Sequence, residues 1–351
     1  MVGVPAPLTA PDLPAGSAPK TARSRPWPAW TDWLLAPSVT ALRRWALAGV
    51  ITSVLIILTG AAVRLSESGL GCPDWPACTA NSLGAADTTG DPLIHRWIEF
   101  GNRLVTVAIF VVAIGVLIAA WQYRGPDGRR RRDLLWLAAA QPGAIIAQAV
   151  IGGIVVLTKL NPALVSVHFL ASVALVAATV GLYVRCQEGT EPAIPLAPRL
   201  VRTTALAVVG NVALMMAAGT VVTGTGPLAG SADVPRYHLP LEGVTQLHAD
   251  IGWLLGGLLV ALLLGMRLTS APARAMRLGW LLLGLVGLQG VIGYAQYFSG
   301  LPAGLVWFHV AGSTAIWITA LLIPYELRDR GRVPAPERPR IDERPSVSAA
   351  P

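Results

Sequence analysis

The sequence predicts an all-α integral membrane protein: an eight-helix transmembrane bundle built from two parallel four-helix repeats. Three observations carry this. Of the 351 residues, 54% are hydrophobic and only 13% charged, more apolar surface than a soluble domain of this size needs. The apolar residues gather into eight runs, about 43–63, 97–121, 134–157, 162–183, 203–223, 246–265, 278–298 and 303–324, each near the roughly 20 residues that cross a bilayer as a helix. The second observation is charge placement. The third is an internal repeat of 25 residues.

The net charge of +8 does not indicate nucleic acid, because the basic residues sit in particular places. Lys20, Arg23, Arg25, Arg43 and Arg44 precede or open the first span, and Arg124 and Arg129 to Arg132 follow the second. Arg185, Arg199 and Arg202 separate the fourth and fifth, Arg267, Arg274 and Arg277 the sixth and seventh, and Arg328, Arg330 and Arg332 follow the eighth. Every second loop is basic, so the positive-inside rule expects a multi-pass plasma-membrane protein with both termini cytoplasmic. No cleavable signal peptide is expected, since the first apolar span starts after residue 42.

Residues 148–172 (QAVIGGIVVLTKLNPALVSVHFLAS) and 289–313 (QGVIGYAQYFSGLPAGLVWFHVAGS) align without a gap and share nine identities. They include Gln148/Gln289, Gly152/Gly293, Leu160/Leu301, His168/His309 and Ser172/Ser313. Each copy is the end of one apolar helix, a short turn and the start of the next. Each half holds four spans, so both halves start on the same side and the pseudo-two-fold axis lies along the membrane normal.

In chain order, residues 1–42 are read as a cytoplasmic tail, with 1–26 disordered and Trp27, Trp30 and Trp33 at the inner interface. Residues 43–183 form the N-terminal half, 184–202 a cytoplasmic linker, 203–325 the C-terminal half and 326–351 a disordered cytoplasmic tail. The first span leads into TGAAVRLSESGLGCPDWPAC, in a long external loop over about 64–96. Cys72 and Cys78 then lie in an oxidising compartment, where a disulfide can persist; a structural staple, a redox-active pair and a metal site are the readings open to them. Cys186 lies on the other side and is a free thiol. The second span enters as HRWIEFGNRLVTVAIF, which places His95, Glu99 and Asn102 on one helix face. A carboxylate one turn into a bilayer is costly unless paired or used. Gly152 and Gly153 would let helices approach closely. The end of the fifth span, AAGTVVTGTGPLAG, is a weaker echo of the end of the first, and His238 beyond it reads as a solvated loop residue. His248 opens the sixth span, with Asp250 beside it.

His168, His248 and His309 all fall within the first two turns of spans running in the same direction, so they share one depth near the outer face. Imidazole is a good haem-iron ligand, and a haem between two helices is commonly held by histidine. His248 and His309 can face each other across a porphyrin. By repeat symmetry a second haem-like group belongs between the second and fourth spans, with His168 as one wall and Asn102 or His95 as the other. Glu99 and the cysteine-bearing loop accompany only this first pocket, which suggests a fixed electron-transfer haem in one half and a reacting group in the other.

The external TGAAVRLSESGLGCPDWPAC, the Glu99-x-x-Asn102-Arg103 segment and the histidine helices of the two halves together resemble the haem A synthase family over about residues 43–325. The resemblance implies an oxidoreductase that oxidises a methyl substituent of haem O to the formyl group of haem A for cytochrome oxidase. It further implies haem b, with its iron, between His248 and His309, the substrate haem facing His168, Glu99 as the catalytic carboxylate and Cys72 with Cys78 as the external cysteine pair. Partnership with haem O synthase, with an unidentified electron donor and in a homo-oligomer belongs to the same expectation. One departure stands out. The family pattern is Glu-x-x-His-Arg, and this chain has Asn102 at the histidine position. Either His95, about 10 Å further out on nearly the same face, replaces the missing ligand, or the substrate iron has one protein ligand and an open face. Two rival readings are a cytochrome b-type electron-transfer protein, which leaves Glu99 and the cysteine loop unexplained, and a haem transporter or scaffold, which would yield no modified product.

Overall fold

The computed structural model describes residues 38–79, 82–84, 93–125 and 127–331. Among them are eight helices, each long and apolar enough to cross a membrane: α1 (Val39–Leu65), α2 (Leu93–Gln122), α3 (Arg132–Leu157), α4 (Pro162–Arg185), α5 (Arg199–Thr225), α6 (Leu241–Leu268), α7 (Ala273–Phe298) and α8 (Ala303–Glu326). Large apolar side chains such as Ile51, Val107, Trp136, Trp253 and Leu264 stand exposed on the outside of the bundle, as a lipid-facing surface requires.

The packing is the same in each half. α1 packs on α2, α2 on α3, α3 on α4 and α4 back on α1; α5 to α8 close a second ring in the same order. The rings meet through α1 with α8, α4 with α5, and α4 with α8. This set of pairs is unchanged when each helix is exchanged for the one four places on, as a two-fold repeat of four helices requires. Two indole N–H groups of α8 cross the junction, from Trp307 to the Leu58 carbonyl and from Trp317 to the Val173 carbonyl, both at 3.0 Å.

The repeated turns have one geometry. Leu160 and Leu301, identical in the two copies, both take positive φ, 56° and 61°. Each donates its N–H back across the helix end at 2.8 Å, to Val155 and Gln296 respectively. This closes the last carbonyls of α3 and α7 and reverses the chain into α4 and α8. The histidines of those helices therefore start from equivalent points.

Several boundaries differ from expectation. α1 opens at Val39, inside the expected tail, because the Ser38 hydroxyl caps it by accepting from the Ala41 N–H at 3.1 Å. α2 opens at Leu93, ahead of the apolar run from about 97, so His95 is helical, as the face expected to join it to Glu99 and Asn102 requires. The expected tail from 326 is ordered as far as Gly331: β2 (Arg328–Asp329) pairs antiparallel with β1 (Ile194–Pro195) in the linker. Ion pairs hold it there. Glu188 bonds Arg185 at 2.5 Å and Arg328 at 3.0 Å, and Asp133 bonds Arg131 at 2.7 Å and Arg185 at 2.6 Å. This network joins α3, α4 and the segment after α8 at the end of the bundle away from the histidines. Trp27, Trp30, Trp33 and residues 332–351 lie outside the described residues, as do 80–81 and 85–92 of the long loop.

Candidate functional site

The first two turns of α2 are built around the 66–79 segment. His95 Nδ1 lies 2.9 Å from the hydroxyl of the fully buried Ser68. Glu99, 5% exposed, accepts the Cys72 N–H at 2.7 Å on one carboxylate oxygen and the Arg103 guanidinium at 2.7 Å on the other. Arg103 also donates to the carbonyls of Cys72 at 2.8 Å and of Asp74 and Ala77 at 3.0 Å. Cys72 and Cys78 form a disulfide that closes the turn, and both are fully buried. The close approach depends on Gly71. A Cβ there would lie 2.6 Å from the His95 carbonyl oxygen, so a larger residue would push the turn off α2.

Three histidines lean on glycines of the helix before them. A Cβ at Gly152 of α3 would meet the His168 ring at 3.2 Å, one at Gly219 of α5 the His248 ring at 3.3 Å, and one at Gly293 of α7 the His309 ring at 3.6 Å. In the His168 and His309 rings Nδ1 is buried with no hydrogen-bond partner, a cost that native structures leave standing where a ligand or ion completes the site. The repeated Gln148 braces the backbone of α4, donating to the His168 carbonyl at 3.0 Å and to the Ser172 hydroxyl. Gly153, beside Gly152, carries the indole of Trp75, with a Cβ there only 2.4 Å from the ring. The adjacent glycines thus seat two side-chain rings, where close helix contact was expected, and they bring the disulfide turn over α3.

His248 and His309 face each other with ring centroids 6.3 Å apart and planes at 66°. A metal–imidazole bond of about 2.0 Å plus about 1.1 Å to the ring centre, taken on both sides, spans about 6.2 Å. The spacing is that of two imidazoles that would hold one iron between them. Among the described residues no group of three or more His, Cys, Asp or Glu gathers to hold a metal ion; paired histidines suit an iron whose remaining ligands come from a porphyrin. Asn102, by contrast, accepts the Thr59 hydroxyl of α1 at 2.8 Å on its side-chain oxygen. His238 is exposed in its loop, and Asp250 is exposed and bonded to Gln246 at 2.7 Å.

Trp75, Thr59, Gly71 and Gly219 were not singled out from the sequence. Trp75 sits among the prolines of the cysteine turn, Gly71 just before Cys72, and Gly219 in the end of α5 that echoes the end of α1. Their positions carried a signal, but their partners lie on other helices.

The chain is similar to several known proteins. A heme A synthase of Shewanella oneidensis is 26% identical over 326 residues, covering 79% of this chain and 94% of the relative. Heme A synthases of Lysinibacillus sphaericus and Geobacillus thermodenitrificans are 33% and 32% identical over 129 and 113 residues, about a third of this chain in each case and 39% and 32% of the relatives. Residues 43–321, effectively the whole bundle, match the COX15-CtaA family, described as cytochrome oxidase assembly protein. The chain belongs to that family.

Proposed function

We propose that this chain is a membrane haem A synthase, oxidising a methyl substituent of haem O to the formyl group of haem A. The observation that carries the reading is the facing of His248 and His309 at the spacing of two ligands on one iron, in a chain of this family. In this reading His248 and His309 hold haem b, and His168 faces the substrate haem O. When bound, haem b supplies one-electron transfer. The division into a substrate half (43–183) and a haem b half (203–325) follows from the same assignment. The histidine end faces the outside of the plasma membrane and both termini face the cytoplasm, supported by the basic loops at the other end.

Conversion of methyl to formyl is two successive two-electron oxidations at one carbon, through hydroxymethyl and a geminal diol that loses water. With water as the source of each oxygen, each oxidation releases two protons and two electrons, and the electrons pass to the membrane electron carrier. Glu99 is the proton acceptor of this scheme. Its two oxygens are engaged by Cys72 and Arg103, yet each carboxylate oxygen has a further lone pair. Arg103 keeps the carboxylate in place between turnovers. Trp75 on Gly153 seats the disulfide turn against α3 next to Gly152, on which His168 rests. His95, bonded to Ser68, belongs to the docking of that turn. Haem O synthase supplies the substrate, and a membrane electron carrier and cytochrome oxidase complete the partners.

The test is haem extraction and chromatography after expressing the chain in a host that makes haem O but not haem A. Haem A appearing with haem b supports the reading. Haem b alone, with haem O present in the membranes and an electron carrier supplied, overturns it.

A further inference from the structure

Resting on that reading, we propose that the N-terminal half holds its haem through His168 alone, and that the opposite face, bounded by Gly60 and Asn102, is a binding site for a small diatomic ligand of the iron. The repeat makes the argument. The end of α1 (Thr59-Gly60-Ala61-Ala62-Val63) aligns with the end of α5 (Ala218-Gly219-Thr220-Val221-Val222), and Asn102 of α2 stands where α6 has His248. In the C-terminal half the His248 ring lies on Gly219, 3.3 Å from where a Cβ would be. In the N-terminal half a Cβ on Gly60 meets no atom within 4 Å. The difference has a local cause. Thr59 supplies a hydroxyl where α5 has Ala218, and that hydroxyl bonds the Asn102 side-chain oxygen at 2.8 Å. The amide is shorter than imidazole, a poor ligand for iron, and held on the Thr59 hydroxyl beside Gly60.

His95 does not take its place. It sits about 10 Å along α2 from Asn102 and bonds Ser68, which is itself bonded to Ser66 at 2.8 Å. The histidine on the other wall is intact: His168 rests on Gly152 as His309 rests on Gly293. The two halves thus present a pair of imidazoles in one case, and one imidazole opposite an amide and a glycine in the other. An iron held on one side by imidazole and free on the other is high-spin and takes carbon monoxide when reduced. An iron between two imidazoles is low-spin and does not.

The experiment loads the purified full-length chain with haemin and records electron paramagnetic resonance of the ferric form. It then takes carbon monoxide difference spectra after dithionite reduction. One low-spin haem and one high-spin haem that binds carbon monoxide are expected. H168A should lose the carbon monoxide-binding species and keep the low-spin one. The double variant T59A/N102H, which copies the Ala218/His248 arrangement, should lose carbon monoxide binding and gain a second low-spin signal. The low-spin haem of His248 and His309 reports in each sample that the bundle is folded. Two low-spin haems in the unmodified chain, one of them lost in H95A, would overturn the proposal and make His95 the missing ligand. Carbon monoxide binding that survives H168A would overturn it too. A different result would overturn the functional reading itself: no low-spin haem, or one unaffected by H248A.

Discussion

Glu99 and Arg103, one turn apart on α2, grip the same residue of the disulfide turn by both of its backbone groups. Glu99 accepts the Cys72 N–H at 2.7 Å, and Arg103 donates to the Cys72 carbonyl at 2.8 Å. The two side chains also bond each other at 2.7 Å. The carboxylate assigned to proton transfer is therefore also a strut of the fold, and the two roles must be separated by experiment.

Arg103→Ala leaves the Glu99 carboxylate buried without its cation and removes three further bonds to the turn. Breaking a buried pair from one side costs about 3 kcal/mol or more. The variant should melt several degrees lower in detergent. Its disulfide should also be reduced faster by dithiothreitol, read by maleimide labelling at Cys72 and Cys78. An unchanged melting temperature and reduction rate would mean that the guanidinium does not hold the turn.

Glu99→Gln keeps the shape and an acceptor for the Cys72 N–H while removing the charge. It should preserve the protected disulfide better than Arg103→Ala, yet lose haem A production. Glu99→Ala should lose product as well and still load the low-spin haem of His248 and His309, seen in reduced-minus-oxidised spectra. Normal haem A from Glu99→Gln would reduce the residue to its structural role.

The bundle was legible in the sequence because its signals are one-dimensional: the length of apolar runs and the alternation of basic loops. His168 and His309 were legible because the repeat marks them, and His248 because it opens a span at the same depth; the rings of His248 and His309 lie 6.3 Å apart. What the sequence did not reveal depends on close approach between distant segments. Cys72 reaches Glu99 only because Gly71 lies against the α2 backbone, and Thr59 meets Asn102 across 43 residues. The polar start of α2 precedes the apolar run from about 97, and the i, i+4, i+7 spacing of His95, Glu99 and Asn102 marked it as helical, but not the bonds it makes to Ser68 and Cys72. The short pairing of 328–329 with 194–195 has no periodic signature at all.

The glycine seats make a contrast within one helix. Gly219 lies under His248, whereas a Cβ on Gly210 meets nothing within 4 Å. Gly210→Ala should be neutral or stabilise α5 by up to about 1 kcal/mol. Gly219→Ala forces the His248 ring to give by a few tenths of an ångström, and Gly219→Val should displace it. Low-spin haem content should fall in the order Gly210→Ala, Gly219→Ala, Gly219→Val. Equal content in all three would show that Gly219 does not set the ring.

Cys186 tests the packing at the other end of the bundle. It caps α4, is fully buried, and donates to the Tyr183 carbonyl at 3.1 Å. Burial pushes its thiol up to about 12, in spite of the nearby Arg43 and Arg131 guanidinium groups. Burial penalises the thiolate, so the neutral thiol persists through the physiological range. The reactive anion appears only as the pH approaches that value. At pH 8 its population is on the order of one part in ten thousand, and alkylation requires it. The chain has three cysteines, two of them bonded to each other. Without reductant, intact-mass measurement after maleimide treatment should show no label on the native protein in detergent and one label after denaturation. Rapid labelling of the native protein at pH 8 would mean that the junction of α4 with the 184–202 linker opens far more readily than its packing allows.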